Sequence, residues 1–334
     1  MKLYPTRSAT WNLDRAKAPG IVDLKSPHIV NMGRLMIDDP RELSRRSKSK
    51  FMTELGIWII GSKGLLGSTL AGLCQQLHIP HVGSTKADLD ITNKDAVLAK
   101  AQEIQPTHII NCAAYTDVDK AEKESTLAFA VNATGAVNVA EAALLTRSKL
   151  IHISTNYVFA GTENRAYTET DPCQPINVYG MSKWEGEKKI LEILATACII
   201  RTSWLFGAYG KNMVSSLLNW LKTNEVVRVA QDQIANLTYC VDLAEMILLL
   251  RDAQGIYHFA NSQAANRYEI ALEIQSQAKK LKIPLQCKKI EPVNSSTFST
   301  IAKRPLHSAL DLTKLKSAPR HWKEAIAEYL SHEL

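Results

Sequence analysis

The hydrophobic pattern changes character twice along the chain. Residues 1–51 show no sustained apolar period and carry Pro5, Pro27, Pro40 and the basic run Arg45-Arg46-Ser47-Lys48-Ser49-Lys50, which predicts a loosely ordered leader. From residue 56 short, wholly apolar runs alternate with amphipathic stretches. Strands are expected at Ile57–Ile60, through Val82, at 107–111, 149–154 and 197–201; helices are expected near 66–77, 93–104, 123–146 and 180–195. Apolar runs without alternation suit strands buried on both faces, so the pattern predicts an α/β fold with a mostly parallel, doubly wound sheet. After Ser203 the rhythm loosens, with helices expected at 212–222, 239–251, 267–281 and 321–331. The expected division is a leader over 1–51, a dinucleotide-binding domain over 52–203, and a smaller, interleaved α/β substrate lobe over 204–334 with segments returning to the first domain. Met52 stands just before the first strand and reads as the true start of the chain.

Composition narrows the class. Of 334 residues 46% are apolar and 22% charged, enough for a large core. The net charge of +7 is uneven: residues 1–50 hold 11 basic and 5 acidic residues, leaving 29 and 28 of the chain's 40 and 33 for the remainder. A nearly neutral body gives no electrostatic case for nucleic acid. No window approaches 18 uninterrupted apolar residues and no secretory core opens the chain, so neither a membrane nor export is expected and the reading is cytoplasmic. Cys74, Cys112, Cys173, Cys198, Cys240 and Cys287 form no C-x-x-C pair; reduced thiols are expected, and no metal site.

Directly after the first strand comes Gly61-Ser62-Lys63-Gly64-Leu65-Leu66-Gly67. Glycines in this strand-turn-helix setting allow a tight turn and close approach of a pyrophosphate to backbone N–H groups at a helix N-terminus. The fold expected is therefore of the Rossmann type. The second strand ends at Ser84-Thr85-Lys86, whose hydroxyls and ammonium suit a 2′-phosphate, which favours NADPH; Asp88 and Asp90 nearby keep NADH as the alternative.

Tyr179-Gly180-Met181-Ser182-Lys183 places a phenol and an ammonium on one helix face. A phenol of pKa near 10 needs about 4 kcal/mol of preferential phenolate stabilisation to titrate ~3 units lower, and a lysine with an oxidised nicotinamide ring supplies positive potential for that. Ser154-Thr155 at a strand end 24 residues upstream completes the pattern.

These segments, with Asn111–Glu122, Val131-Asn132-Ala133, Ser154–Phe159, Pro175–Lys183, Arg201–Trp204 and Lys303–Ser308, resemble the extended short-chain dehydrogenase/reductase superfamily and, within it, the dTDP-4-dehydrorhamnose reductase family. The resemblance implies NAD(P)H-dependent reduction of the C4 ketone of dTDP-4-dehydro-L-rhamnose. It implies Tyr179 as proton donor, Lys183 as the group that lowers its pKa and holds the nicotinamide ribose, and Thr155 as the ketone's hydrogen-bond partner. Gly61, Gly64, Leu65, Leu66 and Gly67 would lie along the pyrophosphate, Asp90 and Ile91 near the adenine, and Ala114, Tyr115 and Thr116 in the cofactor trough. Asn156 and Trp204 would face the sugar, and a homodimer stays open. Two other readings remain: a reductase or epimerase of another nucleotide sugar, and a non-catalytic protein resembling the regulatory subunit of methionine adenosyltransferase.

The sequence also departs from the family pattern. Asn156 and Ala160 stand where the family usually has Asp, and Ala235-Asn236-Leu237-Thr238 replaces a Gly-x-Pro-Thr-like stretch. An amide both donates and accepts where a carboxylate only accepts. Arg201 and Arg304 are candidates for the substrate diphosphate, although an ion-pair role is the commoner fate of such arginines. His108 and His152, inside apolar strands, read as hydrogen-bonded core residues.

Overall fold

The computed structural model describes residues 56–332; the expectations for the leader and for a start at Met52 fall outside the described residues. The first half runs β1 (Ile57–Ile60), α1 (Leu65–Gln76), β2 (His81–Ser84), α2 (Lys94–Ile104), β3 (His108–Asn111), α3 (Val118–Lys123), α4 (Ser125–Phe129), α5 (Ala136–Thr146), β4 (Lys149–Thr155), α6 (Val178–Ile193) and β5 (Cys198–Thr202). The second runs β6 (Leu205–Phe206), α7 (Met213–Thr223), β7 (Val226–Ala230), β8 (Ile234–Asn236), β9 (Thr238–Tyr239), α8 (Cys240–Leu249), β10 (Gly255–His258), β11 (Ala264–Asn266), α9 (Arg267–Lys280), β12 (Lys289–Val293) and α10 (Trp322–Ser331).

A six-stranded sheet in the order β10-β5-β4-β3-β1-β2 is parallel throughout. The chain winds outward from β1 to β2, then crosses back to β3, so the strand order reverses between β1 and β3. Ligand crevices of open α/β sheets form at such a reversal, beyond the carboxyl ends of the strands. One face is covered by α1 and α8, whose Leu66, Leu70, Leu243 and Ile247 meet Ile57, Ile59 and Ile200. The other is covered by α2, α5 and α6, with Val97, Val139, Ala143 and Ile190 against Trp58, Ile60 and Ile109. Burial on both faces explains why these strands read as unbroken apolar runs.

A separate core joins α7, α9 and α10 through Leu217, Leu221, Ile270, Ile274, Ile326 and Leu330. Here the structure adds strands that periodicity did not predict: β7 pairs in parallel with β12, and β8 antiparallel with β11. The chain from α8 to β10 returns to the large sheet, where β10 flanks β5.

The helix expected over 123–146 is interrupted. It divides into α4, a π turn at Ala130–Gly135 and α5, and π turns of this kind gather at functional sites. The run Ser125–Thr146 is long and apolar enough, by length and composition, to cross a membrane. Its apolar positions have a use inside the fold, since Ala136, Val139, Ala140 and Ala143 are buried against the sheet.

Candidate active site

At the sheet reversal lies a cleft of ≈ 450 Å³. Gly64, Leu65, Leu66 and Gly67 form one side of its floor, with Ala114 and Thr116 after β3, Ser154 and Thr155 at the end of β4, Tyr179 and Lys183 on α6, and Thr202–Leu205 after β5. Five separate segments of sequence thus meet at the carboxyl edge of one sheet.

The phosphate loop has the features an anion needs. Helix α1 begins at Gly64 with no side-chain cap and no acid in its first turn, which leaves backbone N–H groups and the positive end of the helix dipole free. A Cβ on Gly67 would stand 2.2 Å from the Gly61 carbonyl oxygen, so only glycine lets helix and turn approach this closely. These features fit a dinucleotide pyrophosphate.

Tyr179 is half-buried at the cleft, and its hydroxyl shares a hydrogen bond with Thr155. Burial pushes the phenol up to about 12, while the Thr155 bond pulls the other way. The expected lowering rests on Lys183 together with an oxidised nicotinamide ring; in the protein alone, burial is the larger influence on the phenol. Lys183 is itself 1% exposed and burial lowers its pKa to about 8, Glu187 opposing. Its ammonium donates to the Ile153 carbonyl at 2.7 Å and lies 3.1 Å from His152 Nε2.

Behind the lysine the hydrogen bonds have a fixed sense. The Ala113 N–H donates to Asn111 Oδ1 at 3.1 Å, which turns the Asn111 amide nitrogen toward His152 Nδ1, also at 3.1 Å. Nδ1 must then accept, so the proton of the neutral ring sits on Nε2, facing Lys183. Burial holds His152 well below its ordinary pKa, with Lys183 adding to the effect. His152 is thus a hydrogen-bonded core residue, as its setting in the sequence suggested, and it touches the lysine.

The tyrosine helix is anchored at three points. Asn177 caps it, accepting from Gly180 N–H at 2.8 Å and donating to the Lys303 carbonyl at 2.9 Å. A Cβ on Gly180 would lie 2.1 Å from the Tyr157 carbonyl oxygen, so glycine lets α6 press against the turn after Thr155. Asn132, in the π turn, accepts from Tyr115 N–H at 2.8 Å and donates to Tyr115 O at 3.0 Å and Ser182 Oγ at 2.9 Å. It pins the trough segment to the tyrosine helix. Its placement needs the π turn, which periodicity does not announce.

Several expected site residues are not part of this cleft's lining. Asn156 is buried, donates to Ser308 Oγ at 2.8 Å and Ser308 O at 3.2 Å, and accepts from Thr155 Oγ1 at 3.3 Å. It is outside the cleft lining, and its NH₂ answers a carbonyl that a carboxylate could not. Tyr115 contributes backbone to the trough region while its hydroxyl donates to Glu124 Oε2 at 2.7 Å. Asp90 accepts from Thr92 N and Oγ1, and Ile91 is buried in the core; neither is among the residues that line the cleft. Ser84 Oγ accepts from Trp58 Nε1 at 2.9 Å and Thr85 Oγ1 donates to Asp88 at 2.7 Å, so both hydroxyls that suit a 2′-phosphate are engaged within the protein. Exposed Lys86 and Lys63 are the cations at that end; Lys63 acts on Asp88 and Lys86 on Asp90.

Arg201 is 2.7 Å from Glu187 and fully enclosed, and Arg304 makes a two-point pair with Asp119 at 2.7 and 2.5 Å. Both arginines are structural. Trp204 does line the cleft, at φ 37°, a left-handed conformation that is strained for a non-glycine residue. Its indole Nε1 and the hydroxyls of Ser154 and Ser203 are buried without a hydrogen-bond partner. Unpartnered polar atoms around a cleft mark where a ligand's polar groups belong.

Known proteins share this architecture. The chain is 38% identical over 281 residues to a dTDP-4-dehydrorhamnose reductase of Aggregatibacter actinomycetemcomitans, covering 80% of this chain and 96% of that one. It is also 38% identical over 218 residues to a dTDP-4-keto-6-deoxy-D-glucose reductase of Streptomyces niveus, covering 64% and 76%. A crystal structure of dTDP-4-dehydrorhamnose reductase from Bacillus anthracis in complex with NADP superposes with TM-score 0.79 at 37% identity, covering 83% of this chain and 99% of that one. Residues 55–334 match the family model described as the RmlD substrate binding domain, and with the cleft, the phosphate loop and the Tyr-Lys helix in place the chain belongs to that family.

Proposed function

We propose that this protein is an NADPH-dependent dTDP-4-dehydrorhamnose reductase, converting dTDP-4-dehydro-L-rhamnose to dTDP-L-rhamnose. The observation that carries the reading is the convergence of Thr155, Tyr179 and Lys183 in one cleft, opposite the uncapped start of α1. In the division we propose, the sheet half, residues 52–203, holds the dinucleotide, and 204–334 contributes most of the sugar-nucleotide side. When bound, NADPH supplies the hydride to C4. Thr155 orients the ketone oxygen with its hydroxyl. A phenol whose pKa sits at about 12 is protonated at neutral pH, so Tyr179 is in the state needed to deliver its proton to the C4 oxygen as negative charge develops there. Lys183, held by Ile153 O, binds the ribose beside the nicotinamide and balances the phenolate left behind. The products are the secondary alcohol and NADP⁺.

The test is to follow NADPH consumption with dTDP-4-dehydro-L-rhamnose generated in situ and to identify the product by NMR. Formation of dTDP-L-rhamnose is expected. The kinship with the Streptomyces niveus reductase gives a second reading, another dTDP-4-keto-6-deoxy sugar; reduction of dTDP-4-keto-6-deoxy-D-glucose alone would favour it.

A further inference from the structure

Three buried or half-buried arginines serve as controls for a fourth, half-buried one. Arg201 is paired with Glu187, Arg304 with Asp119, and Arg320 with Asp242 at 2.8 Å and Glu328 at 2.5 Å. Arg267, the first residue of α9, has no carboxylate within 4.0 Å among the described residues. Its guanidinium lies 5.2 Å from the Trp204 ring centroid, on the aromatic face. Its Nε is buried without a partner, as is Trp204 Nε1. The groups acting on it are the Tyr157 hydroxyl, which hydrogen-bonds it, and the like charge of Arg304, while burial disfavours its charged form. A guanidinium stays charged regardless, so an enclosed one without a counter-ion is costly until an anion arrives.

Location specifies the anion. Trp204 lines the cleft, and Tyr157 makes an edge contact with Tyr179 at 5.9 Å between ring centroids. Arg267 is therefore one aromatic ring removed from the reacting phenol; it stands behind the cleft lining, against the Trp204 ring that forms part of it. A cofactor pyrophosphate is already provided for at the α1 N-terminus. Lys211 also lines the cleft but is exposed, so water solvates it and it lacks the same need. We propose that Arg267, seated on Trp204, is the cation that grips the diphosphate of the nucleotide-sugar substrate, the role that the sequence had suggested for Arg201 or Arg304. This rests on the reading of the cleft as a nucleotide-sugar site.

The test titrates the full-length protein and its Arg267→Gln and Arg267→Lys variants with dTDP, UDP and GDP by calorimetry, with NADPH affinity measured in parallel. Wild type should bind dTDP, Arg267→Gln should weaken it at least 30-fold, and Arg267→Lys should recover part of the loss; NADPH affinity should stay within threefold. In turnover the substrate KM should rise in Arg267→Gln with kcat at saturation little changed, the pattern of lost uniform binding. Preference for UDP or GDP with the same loss in Arg267→Gln would support Arg267 and remove dTDP as the nucleotide. Nucleotide binding by Arg267→Gln within threefold of wild type, or no binding of any of the three by wild type, would overturn the proposal. If Arg267→Gln does not fold, phenylglyoxal labelling of wild type decides: saturating dTDP must protect Arg267, and unchanged labelling overturns the proposal.

Discussion

Two sets of groups at the cleft are built differently. On the sheet wall, Tyr179, Thr155, Lys183, His152 and Asn111 form a run of mostly buried groups placed by contacts within the protein. Beyond β5, Ser203 Oγ, Trp204 Nε1 and, behind it, Arg267 Nε have no partner, a state that Ser154 Oγ at the end of β4 shares, and Trp204 sits at φ 37°. Reacting groups must be held before the substrate comes, because misplacement by an ångström costs orders of magnitude in rate. Recognition groups can wait for the ligand to satisfy them. On the function proposed above, the first set does the chemistry and the second selects what is reduced.

The largest effect that sharpens this contrast comes from Lys183. Its folded pKa of about 8 lies below the ordinary 10.5, so between these values the unfolded chain binds more protons and stability from this group rises with pH. Below pH 8 the buried ammonium is a penalty of about 3 kcal/mol. The stability of Lys183→Met minus that of wild type should therefore fall as pH rises from 8 to 10, measured by urea unfolding. A difference independent of pH would contradict the assignment.

Asn156 gives a smaller effect. Asn156→Asp turns a donor into an acceptor against the Ser308 carbonyl at 3.2 Å, and a lost buried hydrogen bond with an unpaired acceptor costs about 1–3 kcal/mol. A lower urea midpoint is expected, with NADPH affinity little changed. A variant as stable as wild type would mean that Ser308 does not select the amide.

The smallest effect is at the far end of the sheet wall. Lys63→Glu should lower the preference for NADPH over NADH by about tenfold, or 1.4 kcal/mol, in paired kcat/KM measurements. An unchanged ratio would leave the 2′-phosphate to Lys86.

The contrast also explains what could be read from the sequence. Ile57–Ile60, Gly61–Gly67 and Tyr179–Lys183 act through contiguous residues and a single strand or helix period, so the Rossmann-type sheet and the groups at its edge were legible. The long helix over 123–146 was not, because the π turn that aims Asn132 depends on what Asn132 binds 17 and 50 residues away. β7 and β12 lie 63 residues apart in register and are too short to declare themselves. Arg267 was missed because its sequence setting, the first turn of an amphipathic helix, resembles any solvated surface. Arg201 and Arg304 drew attention instead through their motifs, and only the positions of Glu187 and Asp119 show that they are engaged. The unpartnered charge is a property of the folded structure, and no spacing rule reveals it.

The central claim is that Tyr179 delivers the proton during reduction of a dTDP-4-keto sugar. The direct measurement is kcat of Tyr179→Phe with NADPH and dTDP-4-dehydro-L-rhamnose, alongside the dissociation constants of NADPH and dTDP. The account predicts a fall in kcat of about 10²–10⁴ with both dissociation constants within threefold of wild type. Turnover within tenfold of wild type would contradict it.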